Sequence, residues 1–479
     1  MIISNKKIFL TLLSVYFLSG CVANSKQKIS YEKYLNSGAY VQAAEILERD
    51  ANSADILTNL NYGYVLRCNK DYKKSIETFD KAENIFKATE EDWLLHDSGK
   101  AISAALVNEG ITPYTGKIYE LSLANIYKSK SFISLGNFDL ARVEINRALD
   151  RQRRAKEFFS SELDAEKKKA AVQSKNNSGE HISLSDADKS SEISKVLSEH
   201  YSNMNNFELF ANYTNPYITY FSGVYFLLSG DILKSVDLLK EASAMSPENR
   251  YIKDDLLMAI KASTSINGRE SVSNTASGTL HSQTITDEKT PRFAWILFEN
   301  GSGPELESLT IPIPLIVVTS KVPYTEVALP RHKDGPCALN SLSVSNSRES
   351  LESEIVADMN AVALTEFKSR FPAVLIRSIV SASVKSGMQV VAHKLTGDIG
   401  ALALGIYTAV ATEADTRNWS SLPSRYELAK IRIDGTNGEL KIGPPQDEQT
   451  LSLNPTSNHL VFVNKRTNTS PFFIDSVAF

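Results

Sequence analysis

Residues 218–247 read ITYFSGVYFLLSGDILKSVDLLKEASAMSP, and this stretch decides the fold of the N-terminal half. Two segments of helical character are separated by Gly230, and Pro247 closes the second one. Glycine ends helices readily because it adopts the left-handed conformation, and proline cannot continue a helix. The small residue Gly223 lets two antiparallel helices approach closely, and Leu239 can fill the groove beside it. The stretch therefore predicts a helical hairpin.

The same phasing recurs in three further segments, at 31–47, 55–86 and 123–149. Each hairpin leaves one apolar face uncovered, so neighbouring hairpins must stack. The pattern resembles the tetratricopeptide repeat (TPR) family, with about 34 residues per unit, and the resemblance implies a helical repeat domain over 31–262. The repeat positions expected at helix contacts and helix ends are Gly63, Phe79, Ala82, Gly136, Ala141, Ala148, Gly223, Leu239, Ala242 and Pro247.

Two polar segments interrupt or follow these repeats. Residues 151–192 begin with the charged run RQRRAKEFFSSELDAEKKK and continue with Ser, Asn and Asp. Because acidic and basic residues are mixed in this run, it indicates a solvated helix within an insertion rather than a basic binding patch. Residues 263–290 are rich in Ser, Thr, Asn and Gly, which predicts a linker before a second domain at 291–479.

The C-terminal part, 291–479, has a mixed pattern. Apolar runs bounded by Gly or Pro at 293–298 and 315–318 predict buried strands. Apolar spacings of three and four over 352–393 predict a helix, and alternation over 426–433 predicts a strand. The other expected elements are strands at 324–329, 440–442, 450–453 and 459–463 and a helix at 403–414. The expected fold class is α+β multidomain: an N-terminal all-α TPR-like helical solenoid, followed by a C-terminal α+β domain with a small antiparallel sheet.

Residues 1–20 are typical of a signal peptide, with two lysines before an apolar stretch at 8–18 that is too short to cross a bilayer. The following LSGC, at 18–21, resembles the lipobox of bacterial lipoproteins. The resemblance implies cleavage before Cys21 and a diacylglyceryl group on its thiol. An ordinary secretory signal with a chance cysteine is the alternative.

A lipid on Cys21 would make residues 21–30 a lipidated tether that holds the chain stably on a membrane. Val22 follows the cysteine where other lipoproteins carry Asp. This resembles lipoproteins sorted to the outer membrane of Gram-negative bacteria, which implies a lipid-anchored, periplasm-facing protein.

Length and charge narrow the class of protein. The 479 residues imply two or more domains. The chain has 52 basic and 56 acidic side chains, a net charge of −4, and no basic tract, which argues against nucleic acid as a partner. Besides Cys21, only Cys68 and Cys337 are present; two buried free thiols are expected, with a disulfide as the alternative.

No motif in the sequence names a reaction, a cofactor or a metal. Residues 299–304, ENGSGP, lack the lysine of a phosphate-binding loop and are interpreted as a turn after a strand. His332, Asp334 and Cys337 lie close together, but no second His/Cys pair has ligand spacing. We therefore expect a protein that is not an enzyme and that has no catalytic residues, cofactor or metal site.

Residues 292–453 resemble a family of bacterial envelope lipoproteins of unassigned function that join helical repeats to an α+β half. The residues that carry the resemblance are Phe298–Gly301, Pro312, Pro314, Asp358–Pro372, Ala414–Trp419, Leu422 and Pro423. The resemblance names no activity. We expect Arg417, Trp419 and Pro423 to brace a junction between helix and sheet, with a ligand role for Arg417 as the alternative.

Repeat solenoids expose long grooves that suit extended segments. The sequence therefore favours a membrane-anchored envelope scaffold whose concave helical surface binds an envelope protein or peptide, for the assembly or maintenance of an envelope complex. The alternative is a protein that binds or hydrolyses peptidoglycan or polysaccharide through residues 291–479. It ranks second because no paired carboxylates occur in a recognisable frame.

Overall fold

The computed structural model describes residues 31–49, 55–95, 114, 116–155, 164, 195, 198–201, 214–273, 291–314, 324–372, 374–375, 378 and 414–479. The signal peptide, the tether, most of the 151–192 insertion, the 315–318 strand and nearly all of the 403–414 helix lie outside these residues. Those assignments stay predictions.

The N-terminal half consists of helices that pair as antiparallel hairpins. The pairs are α1 (31–36) with α2 (Tyr40–Glu48), α3 (Ile56–Cys68) with α4 (Tyr72–Leu95), α5 (Ile118–Ser134) with α6 (138–155), and α7 (Pro216–Leu228) with α8 (Ile232–Met245). A further helix, α9 (Arg250–Ser273), packs on α8. The prediction of TPR-like helical repeats is confirmed over the described residues.

Close approach between paired helices depends on two glycines. A Cβ on Gly63 would lie 2.9 Å from the ring of Phe79, and one on Gly223 would lie 2.9 Å from Leu239. In both hairpins a serine twelve residues after the glycine donates its hydroxyl to the glycine carbonyl oxygen, at 2.7 and 2.8 Å. The same packing solution is therefore built twice, at the same sequence offset.

The turn inside each hairpin has one residue in the left-handed conformation. Gly38, Gly136 and Gly230 have φ of 75°, 72° and 84°, and Lys70 occupies the equivalent place between α3 and α4 with φ of 60°. In all four turns the following N–H donates to the carbonyl oxygen five residues earlier, at 2.8–2.9 Å. This bond satisfies a carbonyl at the helix end.

In the C-terminal half, the described residues form three sheets. The strands are β1 (Phe293–Asn300), β2 (Glu305–Pro314), β3 (Tyr324–Lys333), β4 (Ser343–Ser345), β5 (Ser350–Glu352), β6 (Glu354–Asp358), β7 (Arg425–Arg432), β8 (Glu439–Ile442), β9 (Gln449–Ser452), β10 (His459–Lys465) and β11 (Phe473–Ala478). The sheet orders are β11-β10-β1-β7-β6, β5-β4-β8-β9 and β2-β3. The α+β class is confirmed, but one small antiparallel sheet is too simple a description, because β1 and β10 pair in parallel within a five-stranded sheet.

Two boundaries that the sequence predicts, one of a helix and one of a linker, differ from those in the structure. The helix predicted from residue 352 begins at 359, because Glu354–Asp358 pairs with β7 as an edge strand. Ile355, whose spacing to later apolar residues indicated a helix, is 44% exposed on that strand. The helix at 359–372 is α10. Helix α9 reaches Ser273, so the first part of the predicted 263–290 linker is helical.

The five-stranded sheet is the middle of three layers. On β1, Trp295 and Glu299 point to the helices, where they contact Asp255 and Lys130. Ile296 and Phe298 point to the opposite face, because side chains alternate along a strand. On that side, β4 and β5 contact β7. Both faces are therefore covered, and β10 is buried along its whole length.

Candidate functional site at the junction of helices and sheet

The first helices of three hairpins, α3, α5 and α7, lie between the second helices and the five-stranded sheet. Nearly every residue of these three helices is buried. Over the described residues, the helical face expected to bind a partner is therefore covered by the chain's own sheet. This corrects the prediction of an open helical groove.

An ion pair lies at the centre of this junction. Lys130 Nζ on α5 is 2.6 Å from Glu299 Oε1 on β1, and both residues are buried. The other carboxylate oxygen accepts hydrogen bonds from the hydroxyls of Tyr64 and Tyr127, at 3.2 and 3.0 Å. Burial alone would raise the pKa of Glu299, but the charge and hydrogen bond of Lys130, the charge of Arg67 and the hydrogen bond from Tyr127 hold it below its ordinary value.

Aromatic rings surround the Lys130 ammonium. Ring centroids lie 4.7–5.9 Å from Nζ and belong to Tyr127, Tyr217, Phe221, Tyr426 and Phe462. Ring faces attract cations, and the attraction grows when water is excluded. Burial lowers the pKa of Lys130 to about 8, which leaves it charged at neutral pH. We call these five rings with Lys130 and Glu299 the junction cage.

A second buried ion pair joins the sheet to the last repeat helix. Asp255 on α9 is fully buried and lies 2.5 Å from Lys430 Nζ on β7. The same carboxylate accepts hydrogen bonds from Trp295 Nε1 at 3.1 Å and from the Tyr220 hydroxyl at 2.7 Å. A buried charge is tolerated when it is paired and hydrogen-bonded in this way. This pair thus connects the helices to the sheet at a point separate from the junction cage.

Arg466, which directly follows β10, connects the sheet to a loop and to the first repeat. Its guanidinium donates to the carbonyl oxygens of residues 420, 421 and 422, at 2.7–3.1 Å. The Tyr31 hydroxyl of α1 shares a hydrogen bond of 2.5 Å with Ser420 Oγ of the same loop. The first described helix is therefore attached to the C-terminal half.

Glu366 of α10 caps the N-terminus of α5. Its two carboxylate oxygens accept from the N–H groups of Ile118 and Tyr119, at 3.0 and 3.1 Å. Burial raises the pKa of Glu366 to about 7, while Arg370 and the two backbone donors oppose the rise. The partial positive charge at the N-terminus of α5 is therefore balanced by a carboxylate of the same chain.

Arg417 and Trp419, the residues expected at a helix–sheet junction, lie in the loop before β7. The backbone N–H of Trp419 donates to Glu120 Oε1 of α5 at 2.8 Å, and the Trp419 ring lies 5.6 Å from that of Tyr127. Arg417 pairs with Asp415 at 2.8 Å and lies over the Tyr114 ring at 5.4 Å. Both therefore adjoin the repeat half, and a ligand role for Arg417 stays a prediction.

The repeat positions expected from the sequence lie inside the hairpins. Phe79, Ala82, Ala141, Ala148, Leu239 and Ala242 are buried at helix contacts, Gly136 is in a turn, and Pro247 follows α8. Cys68 and Cys337 are free thiols, but Cys337 is exposed, so the expectation of two buried thiols is wrong for that residue.

Sequence reasoning missed the charged residues of the junction. Glu299 was interpreted as part of a turn, yet it lies in β1, and the turn begins at Gly301 with φ of 78°. A usable signal is a charge next to an uninterrupted apolar run, since FAWILF immediately precedes Glu299.

His332 is buried beside Asp334, but the described residues contain no group of three or more His, Cys, Asp or Glu that could hold a metal. No helix in the described ranges has both the length and the apolarity for a membrane crossing.

Comparisons with known proteins add little. No family model matches the sequence, and no curated protein matches it. A putative kinesin light chain from Podosopora anserina with TPR-like repeats aligns with 12% identity and a TM-score of 0.26, over 52% of this chain and 91% of that chain. The TPR2AB domain of yeast Sti1 in complex with pHSP90 aligns with 12% identity and a TM-score of 0.20, over 52% and 87%. A tetratricopeptide repeat protein from Parabacteroides merdae aligns with 12% identity and a TM-score of 0.13, over 49% of this chain and 98% of that chain. TM-scores this low support no argument about this chain. The helical repeats are therefore defined by the contacts between the paired helices alone.

Proposed function

We propose that the chain is a lipid-anchored scaffold of the bacterial cell envelope that binds other envelope proteins and assembles or maintains a complex of them. In this proposal the chain is not an enzyme. The observation that carries it is the junction cage, because a buried ion pair holds a stack of helical hairpins against a sheet domain. Separating a buried pair leaves an uncompensated charge and is strongly unfavourable. The outer surfaces of the two halves are thereby kept in a fixed relation.

Partner binding is assigned to the outer helical face, because the inner face is occupied. Leu140 and Val143 of α6 are 44% and 42% exposed, and Leu233 of α8 is 64% exposed. An ion pair joins Arg142 of α6 to Asp231, the residue directly before α8. Grouped apolar side chains on a surface are typical of protein contacts. We call Leu140, Val143 and Leu233 the outer apolar patch.

The proposed anchor agrees with the position of α1. Residues 21–30 could span at most about 35 Å when extended. Tyr31 is attached to the C-terminal half through Ser420. A lipid on Cys21 would hold this side of the molecule near the bilayer, with an outer-membrane, periplasm-facing location as the proposed arrangement.

The test compares two matched substitutions in the full-length chain, purified from membranes in mild detergent after crosslinking. Leu233→Glu places a charge in the outer apolar patch, and Leu257→Glu makes the same change at a site on α9 that is 54% exposed. We expect recovery of envelope proteins to fall about tenfold with Leu233→Glu and to be unchanged with Leu257→Glu. Equal recovery in both variants, or retention on isolated cell wall instead, would count against the scaffold.

A further inference from the structure

The two edges of the five-stranded sheet differ. At the β6 edge, Ser246 Oγ donates to the Val356 carbonyl oxygen at 2.8 Å, and Asn249 Nδ2 donates to that of Ile355 at 3.0 Å. The β6–β7 ladder also has a register shift between Ile355 and Ala357. Side chains and a bulge therefore close this edge. The opposite edge is β11.

Backbone groups of β11 point away from the sheet at alternate residues. The Phe479 N–H donates to the Asn458 carbonyl oxygen at 2.8 Å, in register with the β10–β11 ladder. In an antiparallel pair, residues bonded to the partner strand alternate with residues whose N–H and C=O point outward. Ile474, Ser476 and Ala478 are the outward set. Within the part of the chain that the structure describes, their outward groups form no hydrogen bonds.

Among the residues that the structure describes, none protects the β11 edge in the ways that commonly close an open strand. Proteins close such edges with lysine, proline, bulges or covering segments. The strand reads FIDSVA, and its ladder with β10 is regular. Its one charge, Asp475, points to the helices and accepts a hydrogen bond of 2.6 Å from Ser134 Oγ. Ala478 is exposed, and Ile474 and Ser476 are half-buried.

Apolar side chains lie beside this edge. The rings of Phe138 and Phe479 are 4.8 Å apart, which brings the start of α6 to the end of β11. Leu135 and Leu140, on either side of the α5–α6 turn, are 42% and 44% exposed. A strand added to β11 would therefore have apolar side chains available near one end. This region is continuous along α6 with the outer apolar patch.

We propose that β11 receives an extended segment of an envelope protein as a sixth strand of the sheet. The proposal rests on the scaffold function and names the class of partner segment that the scaffold binds. An extended backbone matches outward N–H and C=O groups spaced two residues apart, which a helix cannot do. The added strand would bond to Ile474, Ser476 and Ala478.

The experiment places a photo-crosslinking amino acid at Ala478 in the full-length chain in living cells. Two versions are compared, with Ser476→Pro and with Ser476→Val. Proline removes an outward N–H without removing a bond to β10, whereas valine retains the N–H and favours a strand. We expect the adduct with an envelope protein to be about tenfold weaker with proline, while the melting temperatures of both versions stay close.

A second measurement needs no variant and applies even if the proline version does not fold. The crosslinked partner segment, as a synthetic peptide, is added to the wild-type chain, and amide hydrogen exchange is followed. We expect slower exchange at Ile474, Ser476 and Ala478 and unchanged exchange at Asp475 and Val477.

The proposal would be overturned by no adduct at 478, by an adduct of equal yield in both versions, or by uniform rather than alternating protection. An adduct with a second copy of this chain would likewise overturn it and indicate an edge-to-edge dimer. If β11 fails but Leu233→Glu still abolishes partner recovery, the scaffold function stands and only its site is wrong. Failure of both measurements removes the function itself.

Discussion

Lys130 and Glu299 come from different halves of the chain and form an ion pair of 2.6 Å with side chains only 1% and 9% exposed. Their separation along the chain is 169 residues. The pair therefore fixes a long-range contact between the helical repeats and the sheet. Because its charges are enclosed by aromatic rings, neither partner can regain water without opening the junction.

Removing one partner of this pair should be far more damaging than removing a surface charge. We expect Glu299→Gln to lower the free energy of unfolding by about 3–5 kcal/mol, since it leaves the Lys130 charge uncompensated. Urea denaturation at pH 7 gives this value. Lys74→Met is the control, because Lys74 and its partner Glu48 are 41% and 58% exposed, and it should scarcely move the midpoint. Equal midpoints for the two variants would contradict the account.

The hairpins could be predicted from sequence because their determinants are local. Gly63 and Ser75, or Gly223 and Ser235, are twelve residues apart and meet within one hairpin. The strands at 293–298 and 426–433 were also visible in their apolar patterns. Such signals need no knowledge of distant parts of the chain.

The junction could not be predicted for the opposite reason. Nothing near Lys130 indicates that its partner is Glu299, and the parallel pairing of β1 with β10 joins residues about 165 positions apart. The strand Glu354–Asp358 was not predicted because the Ile355 side chain is exposed on an edge strand, where alternation of apolar and polar residues is weak. Local sequence patterns indicate which helices and strands form, but not which of their faces pack against one another.

Glu366 predicts a pH dependence of stability. Its pKa is about 7 in the folded chain, against an ordinary value of 4.5, so the folded state holds its proton more tightly than the unfolded state. This contribution is fully present below about pH 4.5 and is lost as the pH rises through about 7. The charged groups near it are Arg370, Glu120 and Lys117.

We expect Glu366→Gln to flatten the decline in unfolding free energy between pH 5 and pH 8, by at most about 3 kcal/mol relative to wild type. Urea titrations across that range give the difference between the two slopes. Parallel curves for the two proteins would show that Glu366 does not bind its proton more tightly in the folded state.

Lys70 is a position where substitution should stabilise the protein. It has φ of 60°, in the turn position that Gly38, Gly136 and Gly230 occupy in the other hairpins. A side chain in this conformation costs about 1 kcal/mol, so Lys70→Gly should raise the melting temperature. Gly136→Ala is the matched reverse change, because a Cβ there meets no atom within 4 Å and only backbone strain is added. A lower melting temperature for Lys70→Gly would be inconsistent with this reasoning.

The proposed lipid anchor predicts a change of cellular fraction. Cys21→Ser removes the thiol that would be acylated, and the chain should then leave the membrane fraction. Cys337→Ser is the control, because Cys337 is an exposed free thiol elsewhere in the chain and its loss should leave fractionation unchanged. Mass spectrometry of the wild-type protein should find a diacylglyceryl group on an N-terminal Cys21. An uncut chain with an unmodified cysteine would refute the anchor.

The central claim is that the junction cage joins the two halves and closes the inner helical face. Amide hydrogen exchange of the full-length chain tests it most directly, by comparing wild type with Glu299→Gln in residues 118–134 and 293–300. The account predicts slow exchange in both segments of the wild type and faster exchange in both segments together in the variant. Fast exchange in 118–134 of the wild type, or a response confined to one segment, would contradict it.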